Sequence, residues 1–359
     1  MADTIVLVGT AKGLFRFRSS DRLHWRSAGP DFPQTPCYTA VLDPRSGVIH
    51  AGINSEFYGA SIRRSSDLGA TWDNGGEGLS YGGDDPEQVT RVWAIAPAAD
   101  DEPLTLYAGV EASGLFRTRD GGDTWTEVRS LREHPTHELW MPGYGGKCLH
   151  TVVVSDSQTI LTACSAGGAY RTLDAGESFA PVNENLEARF MPEGQRYPIA
   201  GQCVHKVSAC RSEPRRLWLQ NHGGVYRSDD GGSGWQYVGA GLPGDFGFPV
   251  LAHPRDPDTA YVVPLQADGQ RWAEGGALCV WRTQDAGASW HALASGLPQR
   301  SYASVLRDGL DHDGQDPIGL YFGTTSGSVY ASADGGRNWQ ELAAHLPRIF
   351  SVRAAAVPS

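Results

Sequence analysis

The sequence has little of what marks membrane, disulfide-rich or nucleic-acid-binding proteins. Its 359 residues contain no uninterrupted apolar run of about 18 residues, the length a membrane-spanning helix needs. Six cysteines in a chain of this length do not make a disulfide scaffold. Charged residues are 20% of the chain and the net charge is -11, which argues against a nucleic-acid-binding surface. We therefore expect neither a membrane nor a nucleic acid as a partner.

Export and helix signals are also sparse. Residues 1–9 lack a basic segment followed by a long apolar stretch, and their pattern predicts a strand rather than a signal peptide. A protein without an export signal is expected to stay in the cytoplasm, where cysteines are kept reduced. We therefore predict a cytoplasmic location. The only helical signal is a short turn over residues 131–139.

What the chain does contain is glycine, with 45 residues, and a repeated turn. Residues 228–235 have the pattern Ser-x-Asp-x-Gly-x-x-Trp. The pattern recurs at 65–72, 118–125, 283–290 and 332–339, at 172–179 with phenylalanine last, and in a shortened copy at 19–25. An aspartate at a turn can accept hydrogen bonds from backbone N–H groups two or three residues on, and the aromatic residue anchors the turn. We interpret the copies as stiff structural turns.

The spacing of the repeats predicts the fold. Their aspartates lie 46 to 56 residues apart, which is the length of a four-stranded propeller blade. Seven innermost strands are predicted, at 38–42, 92–96, 149–154, 204–209, 248–252, 302–306 and 350–354. The last one completes the N-terminal blade and closes the ring, which removes sheet edges. The sequence therefore predicts an all-β, seven-bladed β-propeller forming a single domain over residues 1–359.

The long insertions indicate where function lies. They fall at 76–90, 128–147, 182–202, 239–246 and 266–277. All connect strands at the same face of the ring, which we call the top, whereas an acidic loop at 308–317 is predicted to be solvated at the other face. Because function concentrates on the elaborated face of a rigid scaffold, we expect a site at the top mouth of the channel.

Three histidines are predicted to approach this mouth. His150 and His205 occupy equivalent positions in neighbouring blades, and His222 lies at a corner of the second of these blades. Three imidazoles suit Zn, Cu or Fe, with a position left open for water or substrate. Alternatively, each histidine is a hydrogen-bonded polar plug. Cys148 and Cys203 are either softer metal ligands or small core residues.

Other residues are predicted at the same face by their positions in the blades. Glu111 is a candidate catalytic carboxylate, and aromatic and cationic side chains there could stack on or clamp a ligand. The candidate ligand-binding residues are Arg271, Asn221, Gln220, Arg91, Lys206, Trp93 and Trp140, with Tyr144 nearby.

The repeated turn resembles the Asp-box (BNR-like) repeat of sialidase-like β-propellers. Segments 148–151, 203–206, 220–228 and 245–249 are similar to a bacterial group labelled exo-α-sialidase-like or glycosyl hydrolase. The resemblance implies a glycosidase with paired carboxylates such as Glu111 and Glu56. The chain departs from catalytic sialidases, because no Arg-Ile-Pro precedes the first repeat and Arg348-Ile349 is followed by phenylalanine.

Two further Asp-box groups look related. Xyloglucanases carry two propellers with catalytic aspartates between them, and the photosystem II assembly factor is a seven-bladed propeller without catalysis. Three functions therefore stay open at this stage. The first is an enzyme-like propeller that binds a small polar molecule and carries out hydrolase or lyase chemistry. In it the three histidines are catalytic, because they bind a metal or act as acids and bases, and Glu111 and Arg271 position the substrate. The alternatives are a scaffold that binds a protein partner at the top face, and a glycoside hydrolase.

Overall fold

The structure is a computed structural model that describes residues 3–83, 85–143 and 145–357. It contains seven small antiparallel sheets, six of four strands and one of three. The innermost strands of successive sheets contact one another around a channel. The predicted all-β, seven-bladed propeller is therefore confirmed.

The first four blades take up the N-terminal half of the chain. Blade I begins with β1 (Thr4–Thr10), β2 (Gly13–Ser19) and β3 (Arg26–Asp31). Blade II has three strands, β4 (Cys37–Leu42), β5 (Ile49–Ser55) and β6 (Gly59–Ser65). Blade III contains β7 (Arg91–Pro97), β8 (Leu106–Glu111), β9 (Leu115–Thr118) and β10 (Thr126–Glu127). Blade IV contains β11 (Leu149–Val154), β12 (Ile160–Cys164), β13 (Gly168–Thr172) and β14 (Ala180–Pro181).

The remaining strands build blades V to VII and close the ring. Blade V contains β15 (Val204–Cys210), β16 (Glu213–Asn221), β17 (Gly224–Ser228) and β18 (Gln236–Tyr237). Blade VI contains β19 (Phe246–Ala252), β20 (Ala260–Leu265), β21 (Val280–Thr283) and β22 (His291–Leu293). Blade VII contains β23 (Leu310–His312), β24 (Leu320–Gly323), β25 (Val329–Ser332) and β26 (Gln340–Ala343). The last strand is β27 (Ile349–Ala356), which is the innermost strand of blade I.

Closure of the ring follows the sequence prediction. Strand β27 pairs antiparallel with β1, from Thr4 opposite Ala356 to Gly9 opposite Ser351. The two ends of the chain thus share one sheet, and the N-terminal strand has a hydrogen-bonded neighbour on both sides. This arrangement satisfies backbone groups that an open edge would expose.

The predicted innermost strand of blade VII was wrong. Residues 302–306 form no strand, and the innermost strand is β23, inside the segment predicted to be a solvated loop. Two of the acidic side chains there, Asp308 and Asp313, are buried, and both have partners. Asp313 is 6% exposed and accepts hydrogen bonds from the Tyr321 hydroxyl (3.0 Å) and the Gly319 N–H (2.9 Å), and it pairs with Arg22 at 3.2 Å.

Each repeated turn is a network of hydrogen bonds. In the copy at 228–235, the Ser228 hydroxyl accepts from the Gly232 N–H (2.9 Å) and donates to Asp230 (2.7 Å). Asp230 accepts from the N–H of Gly234, four residues on rather than two or three (3.0 Å). The Trp235 indole donates to the Val182 carbonyl of the preceding blade (2.8 Å). The turn therefore fixes its own blade and ties it to its neighbour.

Helical structure is confined to the insertions. The described helices are α1 (Arg129–Arg132) and three 3-10 turns, Pro135–Leu139, Glu193–Gln195 and Glu274–Gly276. The first two account for the helical turn predicted over 131–139. Within the described residues, no helix has the length and apolarity to cross a membrane.

Candidate functional site

A cavity of about 400 Å³ opens at the top mouth of the channel, on the predicted face. Most of its wall comes from the starts of innermost strands and from corners between the second and third strands. Its lining residues are Tyr38, Trp93, Gly143, Gly145, Ser165, Cys203, His205, His222, Phe246, Phe248, Asp268, Arg271, Leu306, Arg307, Asp308, Arg348 and Phe350. Ring closure thus gathers residues that lie more than 300 positions apart in the sequence.

Aromatic rings form two parts of the cavity wall. Tyr38 stacks on Phe350 with ring centroids 4.2 Å apart and planes 3° apart, and it packs against Trp93 at 4.7 Å. In another part of the wall, Phe246 and Phe248 pack edge to face at 5.2 Å. These flat apolar surfaces can stack on the apolar face of a ring-shaped ligand.

The positive charge of the cavity comes mainly from arginine. Arg307 lies 5.6 Å from the Trp93 ring centroid and 5.9 Å from that of Phe248, and it hydrogen-bonds the Ser165 hydroxyl at 3.4 Å. Over the described ranges, no carboxylate forms an ion pair with Arg307. Arg271, by contrast, pairs with Asp268 at 2.6 Å.

Cys203, His205 and His222 form a compact cluster on the cavity wall. One potential ligand atom from each residue lies within 4.8 Å of the others, and Cys203 Sγ is 3.6 Å from His205 Nε2. His205 Nδ1 donates to the Gly247 carbonyl at 2.5 Å, which leaves Nε2 as the acceptor nitrogen. Burial, with help from Arg307, lowers the pKa of His205 to about 3, so the ring is neutral at neutral pH.

The predicted convergence of three histidines is only partly correct, because His150 is not in the cluster. Its ring is fully buried, with Nε2 3.0 Å from the Val204 carbonyl and Nδ1 3.0 Å from the Thr151 hydroxyl. Both ring nitrogens are therefore used within the protein. His150 is the hydrogen-bonded plug of the alternative interpretation, and Cys203 takes its place beside the other two histidines.

Glu111 lies behind the cavity wall rather than in the wall. Its carboxylate pairs with Arg91 at 2.6 Å and accepts a hydrogen bond from the Trp93 indole at 3.2 Å. Glu56, its predicted partner in a glycosidase, is exposed in the turn between β5 and β6 and is not among the lining residues. The structure therefore does not bring the pair Glu111 and Glu56 together at the cavity. Arg91 and Glu111 serve to orient Trp93.

Four other predicted ligand-binding residues have structural roles. Gln220 donates to the Asn221 and Asp245 carbonyls at 2.8 and 3.1 Å, and Asn221 donates to the Glu187 carbonyl at 2.9 Å. Lys206 forms an ion pair with Asp308. Trp140 is 1% exposed and donates to the Tyr170 hydroxyl at 2.7 Å. Tyr144 lies outside the described residues.

Several cavity residues were missed by sequence reasoning. Arg307 and Asp308 follow the segment wrongly predicted as a strand. Because the innermost strand of blade VII was placed incorrectly, the sequence did not predict these two residues at the mouth. Asp268 lies in the insertion 266–277, three residues from Arg271. Its place in a top-face insertion could have identified it as a candidate cavity residue. Tyr38 and Phe350 lie at the starts of two correctly predicted innermost strands, but only ring closure makes them neighbours.

Comparison with known proteins supports the fold and points to carbohydrate-active relatives. No known protein-family profile matches the chain. A xyloglucanase from Paenibacillus sp is 26% identical over an alignment of 229 positions, which covers 55% of this chain and 21% of that enzyme. The chain thus spans about a fifth of the length of this relative. The sialidase-like resemblance and the cytoplasmic location stay predictions.

Two solved structures share the propeller. An ancestral GH74 enzyme superposes with a TM-score of 0.61 and 16% identity, covering 86% of this chain and 38% of that chain. A structure of YCF48 bound to D1 peptide superposes with a TM-score of 0.53 and 14% identity, and the match covers 82% of this chain and 78% of that chain. At such identities the similarity shows the fold alone. The chain is thus a seven-bladed propeller with sequence similarity to a xyloglucanase over part of its length.

Proposed function

We propose that this chain is a carbohydrate-active propeller of the glycoside hydrolase type that binds a sugar bearing a carboxylate in the mouth cavity. The observation that carries the proposal is Arg307. Its guanidinium lines the cavity between Trp93 and Phe248, and no carboxylate of the described chain neutralises it. A partly buried cation without an internal counter-ion is well placed to receive an anionic ligand.

The other cations near the mouth have partners or lie at its rim. Arg271 pairs with Asp268, and Lys206 pairs with Asp308. His205 is neutral, because burial and Arg307 lower its pKa to about 3. Arg348 is exposed at the edge of the cavity. A guanidinium binds a carboxylate through two parallel hydrogen bonds, so Arg307 gives both charge and geometry for this group.

The remaining features favour a sugar over other carboxylates. The cavity of about 400 Å³ is in the range of small-molecule sites. The Trp93 and Tyr38 rings offer apolar faces for a pyranose ring. The sequence similarity to a xyloglucanase points to the same class of ligand. Asp268, whose side chain is 43% exposed, is the accessible carboxylate on the wall for proton transfer to a bound sugar.

Calorimetric titration tests the binding proposal. Glucuronate, galacturonate and N-acetylneuraminate are compared with glucose and galactose, which lack the carboxylate. We expect at least one acidic sugar to bind. Arg307→Gln should weaken that binding at least about tenfold, because it removes the charge-assisted contact with the carboxylate. Arg119→Gln, an exposed arginine in the turn between β9 and β10, is the matched control and should bind as the wild type does.

Two results would contradict the proposal. One is equal affinity for each acidic sugar and its neutral counterpart. The other is unchanged affinity in Arg307→Gln. Fluorogenic glycosides of the same sugars, together with xyloglucan, then test hydrolysis. Turnover that is lost in Asp268→Asn would support the hydrolytic role, whereas binding without turnover would restrict the function to sugar binding.

A further inference from the structure

A strand and a corner of blade V bring three metal-binding side chains to one point. Cys203 and His205 lie two residues apart at the start of β15, where a β-bulge at His205 interrupts the pairing with β16, and Cys203 Sγ lies 3.6 Å from His205 Nε2. The N–H of His222, at the corner after β16, donates to the Cys203 carbonyl at 2.9 Å. This backbone hydrogen bond holds Cys203 and His222 next to each other before any ligand binds.

The separation of Cys203 and His205 fits a tetrahedral metal ion. Zinc bonds to sulfur and nitrogen are about 2.3 and 2.0–2.1 Å long, which places a tetrahedral thiolate and imidazole donor about 3.6 Å apart. Cys203 Sγ and His205 Nε2 are 3.6 Å apart. His222 completes the group, with a ring nitrogen within 4.8 Å of the ligand atoms of the other two residues and a ring that is 27% exposed.

The surroundings of His205 prepare it as a ligand. The bond from Nδ1–H to the Gly247 carbonyl fixes the tautomer that turns the Nε2 lone pair toward Cys203. Metal-binding histidines commonly donate their second nitrogen to a carbonyl or carboxylate in this way. Phe246 and Phe248 hold the ring at centroid distances of 5.3 and 4.9 Å. His150, in contrast, has both nitrogens bonded to protein groups.

We propose that Cys203, His205 and His222 bind a zinc ion on the wall of the mouth cavity, with a fourth position open to the cavity. A thiolate with two imidazoles suits zinc better than magnesium or calcium, which prefer oxygen ligands. Asp268 Oδ2, also on the cavity wall, lies 3.9 Å from His222 Nε2. Zinc binding does not depend on the sugar proposal, since its three ligands are already gathered without a sugar.

The test is a zinc titration of chelator-treated full-length protein in the absence of sugar, with stoichiometry from elemental analysis and affinity from a competing chromophoric chelator. We expect one equivalent in the wild type and at least about tenfold weaker binding in Cys203→Ser and in His222→Gln. Cys148→Ser is the matched control, because Cys148 occupies the equivalent position in blade IV, next to a histidine outside the cluster. It should retain full affinity.

Cobalt substitution gives a second readout. Bound Co²⁺ should show a thiolate charge-transfer band in the wild type and in Cys148→Ser, and Cys203→Ser should lose it. Circular dichroism checks that each variant is folded, and His222→Gln keeps the test valid if Cys203→Ser does not fold. No zinc binding by the wild type, or equal affinity in all variants, would overturn the proposal. Sugar titration of the chelated protein separates this outcome from failure of the sugar proposal.

Discussion

The ammonium of Lys206 is ion-paired with the carboxylate of Asp308, which joins blade V directly to the segment that leads into blade VII. The two side chains are 12% and 5% exposed. Arg353, on the innermost strand of blade I, lies 4.0 Å from the same carboxylate. Burial lowers the pKa of Lys206, and Asp308 opposes this shift. The pair is thus a tie between blades that are not neighbours in the ring.

Removing one member of this pair should destabilise the protein strongly. Asp308→Asn leaves the Lys206 charge buried with a weaker partner, and we expect the free energy of unfolding to fall by about 3–5 kcal/mol. The double variant Lys206→Met/Asp308→Leu should lose less than Asp308→Asn, since it leaves no unpaired charge. Denaturant unfolding followed by circular dichroism measures both.

The exposed pair of Arg211 and Asp100 provides the control. These side chains are 73% and 79% exposed, so Arg211→Gln should change the free energy of unfolding by no more than about 1 kcal/mol. If Asp308→Asn costs no more than this surface variant, the tie contributes little to stability.

Trp140 should matter for stability and not for ligand binding. Its indole donates to the Tyr170 hydroxyl at 2.7 Å, and the two rings pack at 4.8 Å. Trp140→Ala should cost about 3–5 kcal/mol in free energy of unfolding, and Trp140→Phe about 1–2 kcal/mol for the lost hydrogen bond. Calorimetric titration with the acidic sugar that binds the wild type should give the wild-type affinity in Trp140→Phe.

Trp93 should matter for ligand binding more than for stability. It lines the cavity and is only partly buried, so Trp93→Ala should weaken sugar binding more than it lowers stability. Comparable loss of sugar affinity in Trp140→Phe and Trp93→Ala would place the ligand elsewhere than in the mouth cavity.

Buried His50 should make stability depend on pH. Burial lowers its pKa from the ordinary 6.5 to about 4, with Arg64 and Arg45 acting in the same direction and Asp43 and Asp73 opposing. The unfolded chain therefore binds a proton between pH 6.5 and 4 that the folded chain does not. The stability that depends on neutral His50 is fully present above pH 6.5. As the pH falls toward 4, the free energy of unfolding should decrease by about 3 kcal/mol because of this one group.

Unfolding curves at several pH values from 7 to 4 test this dependence. His50→Gln should have a shallower decline over that window than the wild type, whatever its absolute stability. His291→Gln, at an exposed position on β22, is the control and should keep the wild-type slope. An unchanged slope in His50→Gln would mean that its burial does not govern the acid sensitivity.

Much of the fold could be predicted because repeats are local signals. The Ser-x-Asp-x-Gly-x-x-Trp pattern sets a turn through bonds within the same eight residues, such as those from Ser228 and Asp230. Its period set the blade count, and the unpaired strands at the two ends implied closure. Blade VII was misjudged because the acidic segment around Asp313 looked solvated, whereas Arg22, 291 residues away, neutralises it.

The sequence by itself determined seven blades, their closure and the face on which the cavity opens, because all three follow from counting and ordering a repeat of about fifty residues. Only the tertiary structure decided which side chains meet there. Cys148-Leu149-His150 and Cys203-Val204-His205 are alike in sequence, yet His150 bonds to Val204 while His205 turns its free nitrogen toward Cys203. That difference arises from contacts between blades, which local sequence patterns do not encode.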